Sequence, residues 1–216
     1  NSSVGGDVRL ESGAGVTSSG EVVLKSADSV DNAASGMVFL SSGASDAGVS
    51  GSIMIFSGDA ANSRAGNVSV HVGESGVGAG GELSLLGGAT LDDTAVGGSV
   101  RVLSGSGGML TGDVTIRSAA ATVLHANSGM LELSSGSSVS GMSGNITMFS
   151  GDAVDGVAGD ISIHVGLSGD GVGGMVSVRG GESNTTNGGD VRLESGAGVT
   201  SSGEVVLKSA DSVDSA

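Results

Sequence analysis

The side chains that could do chemistry are few and scattered. Two of the three His residues, His71 and His164, occupy matching places 93 residues apart. Zinc sites usually need roughly three or four ligands, so these His residues are better explained as exposed polar positions. Asp59 and Asp152 each follow a Ser-Gly pair, but the Gly-Gly-x-Gly-x-Asp pattern of calcium β-rolls is missing. We predict no cofactor and no metal, and structural calcium is the alternative.

No catalytic constellation emerges from the sequence. There is no Gly-x-Ser-x-Gly turn to present a nucleophile, no phosphate-binding loop ending in Gly-Lys-Ser/Thr and no HExxH helix. A glycan-processing β-helix enzyme would need a groove of clustered carboxylates, which this pattern does not assemble. We therefore expect the protein not to be an enzyme, with that β-helix enzyme as a remote alternative.

Covalent modification is a further candidate chemistry, either N-glycosylation at Asn or O-glycosylation at the many Ser and Thr of the linkers. Four Asn residues stand in Asn-x-Ser/Thr sequons, which accept N-linked glycans in secreted eukaryotic proteins. These candidate glycosylation sites are Asn1, Asn67, Asn145 and Asn184. They predict attached glycans as partners, provided that the chain is secreted by a eukaryote.

Composition limits the partners and the type of core. The formal net charge of −15, from 23 acidic and eight basic residues, disfavours binding to nucleic acid or to an anionic membrane. No apolar run is long enough for a membrane span, so we expect no membrane insertion. There are 43 Gly, three Phe and no Pro, Cys, Trp or Tyr, so aliphatic residues must supply the core.

A short unit repeats fourteen times and explains the high glycine content. Each unit opens with a glycine at position 1, carries aliphatic residues at positions 3 and 5, and reaches Ser-Gly or a variant at positions 7 and 8. Successive units are 14 to 17 residues apart. Their opening glycines are Gly6, Gly20, Gly36, Gly51, Gly66, Gly81, Gly98, Gly112, Gly129, Gly144, Gly159, Gly174, Gly189 and Gly203.

The alternation within each unit predicts a strand with one apolar face. Positions 3 and 5 are aliphatic in all fourteen units, while positions 2, 4 and 6 are mostly polar. Such short strands gain stability by stacking on their equivalents. We therefore predict an all-β fold, a β-solenoid of about 14 tandem units with two or three units per coil. Linker residues such as Val16, Val49 and Val77 are expected to anchor the corners in its core.

A slower rhythm groups the units in sixes. The segment from Gly51 matches the segment from Gly144, and the segment from Gly66 matches that from Gly159, both at an offset of 93 residues. This predicts one continuous repeat array over 1–216, with six-unit super-repeats at about 6–97, 98–188 and, in part, 189–216. Gly5–Asp31 is also identical to Gly188–Asp214. This identity indicates either a recent duplication or a long tiled chain, and we expect the array to continue in a longer protein.

Large apolar side chains at outward positions are candidates for an assembly contact. Alternation places Met37, Phe39, Met54, Phe56 and Phe149 on the otherwise polar side of their units. Exposed apolar clusters commonly mark interaction surfaces. The alternative is that linkers fold over these side chains.

Tandem Gly/Ser-rich repeats with this Gly-x-Val-x-Leu-x-Ser-Gly pattern resemble those of β-solenoid proteins in extracellular fibres and adhesins. The resemblance implies a structural protein outside the cell or on its surface, such as a surface fibre, flagellar hair or matrix component. It implies self-association, head to tail or side by side, as the main interaction. The alternative is the stalk or passenger of a cell-surface adhesin, a binding module.

Overall fold

The computed structural model describes residues 5–210, and within this range the chain forms irregular coil with no helix and no β-strand. The predicted all-β fold, and the β-solenoid with two or three units per coil, are therefore wrong. The chain divides into two larger parts, Asn1–Val114 and Thr115–Ala216, each of which contains several repeat units. None of the described residues belongs to a helix able to cross a membrane.

The main-chain hydrogen bonds explain why no sheet forms. A β-ladder needs bonds along the length of two neighbouring segments. In the described chain, five main-chain bonds join the two ends of single linkers, and two others close turns within a linker. The N–H of Gly20 donates to the carbonyl of Gly13 at 2.9 Å, and the N–H of Gly203 donates to that of Gly196 at the same distance. These bonds therefore close linkers and form no ladder between consecutive segments of the described chain.

The predicted aliphatic core is also missing from the described residues, none of which is buried. The alternation survives only as a difference in exposure. Val38 is 52% exposed, whereas its neighbours Met37 and Phe39 are 84% and 79% exposed. The linker residues Val16 and Val49 are fully exposed, so the prediction that they anchor corners is wrong.

The exposure at position 3 differs between the two identical blocks. Val8 and Val191 occupy the same place in the identical blocks, yet Val8 is fully exposed and Val191 is half exposed. A complete unit precedes Val191, whereas among the described residues only 5–7 precede Val8. The extra cover of Val191 therefore comes from chain that has no counterpart before Val8 among the described residues.

Candidate functional site: the linker closures

One close approach recurs from repeat to repeat, at the point where the two ends of a linker meet. Position 7, the last side chain of a segment, lies against the opening glycine of the next unit. The least exposed residues of the described chain all occupy position 7. These position-7 residues are Ser12, Ser26, Ser57, Ser150, Gly180 and Ser195.

The closure between Ser12 and Gly20 combines a side-chain and a main-chain hydrogen bond. The hydroxyl of Ser12 donates to the carbonyl of Gly20 at 2.8 Å, while the Gly20 N–H donates to Gly13. A β-carbon added to Gly20 would lie 3.3 Å from the β-carbon of Ser12. Glycine therefore suits the opening position because it leaves room for the serine side chain.

Valine replaces serine at two equivalent closures. Val72 faces Gly81, and Val165 faces Gly174 six units later. A β-carbon on Gly81 would stand 2.7 Å from Cγ1 of Val72, and one on Gly174 would stand 2.6 Å from Cγ1 of Val165. These separations are well below ordinary carbon–carbon contact, so only glycine fits opposite valine.

The next closure in the six-unit rhythm is made by glycine pairs. The pair Gly87-Gly88 meets Gly97-Gly98, and Gly180-Gly181 meets Gly188-Gly189. The Gly98 N–H donates to Gly88 at 2.8 Å, and the Gly189 N–H donates to Gly181 at 2.9 Å. A β-carbon on Gly180 would overlap the carbonyl oxygen of Gly189. Main chain therefore touches main chain at these two closures.

The proposed assembly residues remain uncovered. Each of these side chains is more than three-quarters exposed, so no linker of the described chain folds over them. Their exposure leaves them available as a contact, which stays a prediction. They are Met37, Phe39, Met54, Phe56 and Phe149.

Three of the four sequons lie in the described part of the chain, and Asn1 lies outside it. Asn67, Asn145 and Asn184 are all exposed. The side chain of Asn67 accepts a 3.4 Å hydrogen bond from Arg64. Asn184 lies in a bend where the hydroxyl of Ser183 accepts the Thr186 N–H at 2.9 Å. Glycosylation at these sites stays a prediction.

Charged groups do not converge on a metal or a catalytic centre in residues 5–210. No group of three or more His, Asp or Glu residues in this range could hold a metal ion. Acidic and basic side chains form exposed ion pairs between residues close in sequence, such as Arg9 and Glu11. The pKa of Asp92 is lowered from its ordinary value because its carboxylate accepts hydrogen bonds from the hydroxyl and the N–H of Thr94.

Two open depressions lie in the second half of the chain. One, of about 610 Å³, is lined by Arg117, Ser118 and Ser128 among others. The other, of about 510 Å³, includes Asn145 and Met148. Neither brings together several ionisable side chains, so neither suggests a reaction.

Comparison of the chain with protein-family models, with curated proteins and with solved structures finds no match. Function must therefore be argued from the residues themselves. The sequence predicts the repeat units, but it does not predict that position 7 lies against the next opening glycine. The signal was present, because valine and glycine replace serine there at intervals of six units.

Proposed function

We propose that this chain is a structural segment of an extracellular rod or filament, held together by association with further copies of itself. The observation that carries the proposal is the exposure of the aliphatic positions in unit after unit. In one unit, Val38 and Leu40 are 52% and 66% exposed, and in the next, Ile53 and Ile55 are 48% and 70% exposed. The same pattern extends to the last described unit.

The surface area supports a need for association. The accessible surface is 22004 Å² for 20.3 kDa. A compact monomer of this mass exposes about 8,800 Å², and its unfolded chain about 29,000 Å². The single chain thus removes only about a quarter of its extended surface from water. Apolar burial of this extent does not offset the entropy of ordering the chain, and association with further copies would add the missing burial.

A second copy is the partner that fits this surface best. The aliphatic pairs recur every 14 to 17 residues, so a partner covering many of them must repeat at a matching spacing. This chain has that spacing. It also carries the same sequence more than once, because Gly5–Asp31 and Gly188–Asp214 are identical. Repeated equivalent surfaces favour open-ended assembly over a closed pair.

The extracellular setting rests on the Gly/Ser-rich repeat pattern and on the sequons. Asn67, Asn145 and Asn184 are exposed, as acceptors of glycans must be. The absence of Cys is neutral, since it removes disulfides but fixes no compartment.

The test is the state of association of the purified chain. We expect light scattering and sedimentation to show growth with protein concentration, and electron microscopy to show uniform filaments. Replacing Val38, Leu40, Ile53 and Ile55 with Ser should abolish or strongly reduce this growth. A chain that stays monomeric at every concentration and salt level would contradict the proposal.

A matched control tests whether association depends on positions 3 and 5 or on exposed apolar side chains in general. Val16, Val49, Val77 and Val96 are linker residues that are almost completely exposed. Replacing these four with Ser removes the same number of exposed aliphatic side chains but leaves the segments intact. We expect this variant to associate as the parent does. Equal loss of association in both variants would contradict the role of positions 3 and 5.

A further inference from the structure

We propose that Asn187 is a site of spontaneous main-chain isomerisation, by which the linker closure at Gly189 is permanently opened. Asn187 is exposed and is followed by Gly188. Every other described Asn precedes a residue with a side chain. The other Asn residues of the described chain are Asn32, Asn62, Asn67, Asn127, Asn145 and Asn184.

The reaction needs only the chain and water. The main-chain nitrogen of Gly188 attacks Cγ of Asn187, a C–N bond forms, and the side-chain nitrogen leaves as ammonia. The resulting five-membered imide is opened by water at either carbonyl. Opening at one carbonyl gives Asp, and opening at the other gives isoaspartate, in which the main chain runs through the β-carbon. In both products one amide nitrogen has been exchanged for one oxygen of water.

The local structure favours this attack. Glycine at 188 has no β-carbon to obstruct the approach of its nitrogen to Cγ. Residues 184–186 form a bend, and no helix or strand of the described chain restrains 187 and 188. The main-chain hydrogen bond at this closure is made by the N–H of Gly189, which donates to Gly181 at 2.9 Å. This bond does not involve the reacting nitrogen, which belongs to Gly188.

The position of the reaction gives it a consequence. Isoaspartate adds one main-chain carbon just before the place where Gly188-Gly189 touches Gly180-Gly181. The two main-chain segments are closely packed at this contact, because a β-carbon on Gly189 would lie 3.2 Å from the nitrogen of Gly181. The lengthened chain no longer aligns the Gly189 N–H with Gly181. Formation of isoaspartate at Asn187 therefore opens the closure slowly and irreversibly.

The experiment incubates the full chain at neutral and mildly alkaline pH and maps it by mass spectrometry. Cleavage after Arg179 and Arg192 gives a peptide, 180–192, that contains both Asn184 and Asn187. We expect loss of the amide at Asn187 alone, two separable products, and a faster loss at higher pH because the attacking nitrogen must lose its proton. Conversion at Asn184 at the same rate, or no conversion at Asn187, would overturn the proposal.

Two variants make the test specific. Asn187→Gln should stop the conversion, since its longer side chain would have to form a larger ring. Val96→Asn places the same dipeptide before Gly97, in the equivalent linker closed by Gly88 and Gly98. We expect it to convert at a rate close to that of Asn187. A stable Val96→Asn protein would overturn the link between closure and reactivity.

The structural consequence has its own readout. Amide exchange at Gly189 should speed up in the isoaspartate form. Asn187→Asp, measured before it ages, adds the same negative charge without lengthening the chain and should leave that exchange unchanged. Equal exchange in the aged and fresh parent protein would overturn the opening of the closure.

Discussion

The hydroxyl of Ser12 donates a 2.8 Å hydrogen bond to the carbonyl of Gly20, the residue that opens the next unit. The N–H of Gly20 in turn donates to Gly13 at 2.9 Å. The six-residue stretch between Gly13 and the next opening glycine, Gly20, is thus tied at both ends. Closure of this kind holds one linker together without placing neighbouring segments side by side.

The first prediction concerns the fit of glycine opposite position 7. Gly174→Ala should push the linker ends apart, because the new β-carbon would stand 2.6 Å from Cγ1 of Val165. Overpacking costs typically about 1 kcal/mol or more. The measurement is the nuclear Overhauser effect between the methyls of Val165 and the N–H of Gly174, which should weaken or vanish.

A graded comparison controls this prediction. At Gly159 a β-carbon would lie 4.0 Å from Ser150, an ordinary contact, so Gly159→Ala should leave its closure intact. Val165→Ala should restore the closure in Gly174→Ala, as a coupling in a double-mutant cycle. Equal effects of the two glycine substitutions would contradict the role of position 7.

The second prediction separates two adjacent glycines. Gly180→Ala would bring a β-carbon into the carbonyl oxygen of Gly189, whereas at Gly181 a β-carbon meets nothing within 4 Å among the described residues. Gly180→Ala should therefore break the bond from the Gly189 N–H, and Gly181→Ala should keep it. Such a bond contributes about 0.5–1.5 kcal/mol. Amide exchange at Gly189 should accelerate about two- to tenfold in the first variant only.

These closures show what the sequence predicts well and what it does not. The unit length, the opening glycines and the alternation of Met37, Val38 and Phe39 were all readable, and the alternation persists as a difference in exposure. The step from alternation to stacked strands failed. Alternation describes which side of a segment is apolar, but it does not determine whether the next segment lies beside it or only meets its end.

The site was partly predictable for the same reason. Serine at position 7 was visible as part of the repeated phrase, yet a small polar residue gives no sign that it will be less exposed than leucine. Ser12 is half-buried while Leu10 is 75% exposed. Its partner, Gly20, is a spatial neighbour fixed by loop closure, and periodicity alone carries no information about such a pairing.

The third prediction concerns the turn at Asp92. Its carboxylate accepts the Thr94 hydroxyl at 2.7 Å and the Thr94 N–H at 2.9 Å, and these bonds lower its pKa from the model-compound value of 3.8. A lowered pKa means that the bonds stabilise the turn above pH 3.8 and are lost as the pH falls through the lowered value. The Thr94 amide resonance should report this titration.

Replacing Thr94 with Val tests the cause. The hydroxyl bond, which is the larger cause of the shift, disappears while the side-chain volume is kept. The pKa of Asp92 should then rise toward its ordinary value. An unchanged midpoint in Thr94→Val would show that the hydroxyl is not what stabilises the carboxylate.

The fourth prediction concerns salt and rests on the proposed self-association. Chains with a net charge of −15 repel one another, and added salt screens that repulsion over a Debye length of about 10 Å at 0.1 M. Apolar contacts gain from the screening, so association should strengthen as salt rises. If exposed pairs such as Arg9 with Glu11 held the copies together, sedimentation would instead show dissociation in salt.

The last prediction tests the outward apolar side chains as a lateral contact. Phe39 and Phe56 are 79% and 77% exposed and alternate along their segments with the aliphatic residues. Replacing both with Ser should weaken side-by-side association, seen as thinner filaments in electron microscopy, because about 25 cal/mol per Å² of apolar burial is lost. The closure at Gly189 should keep its amide exchange, since neither Phe belongs to it. Loss of that protection, or unchanged filaments, would show that these side chains do not form the contact.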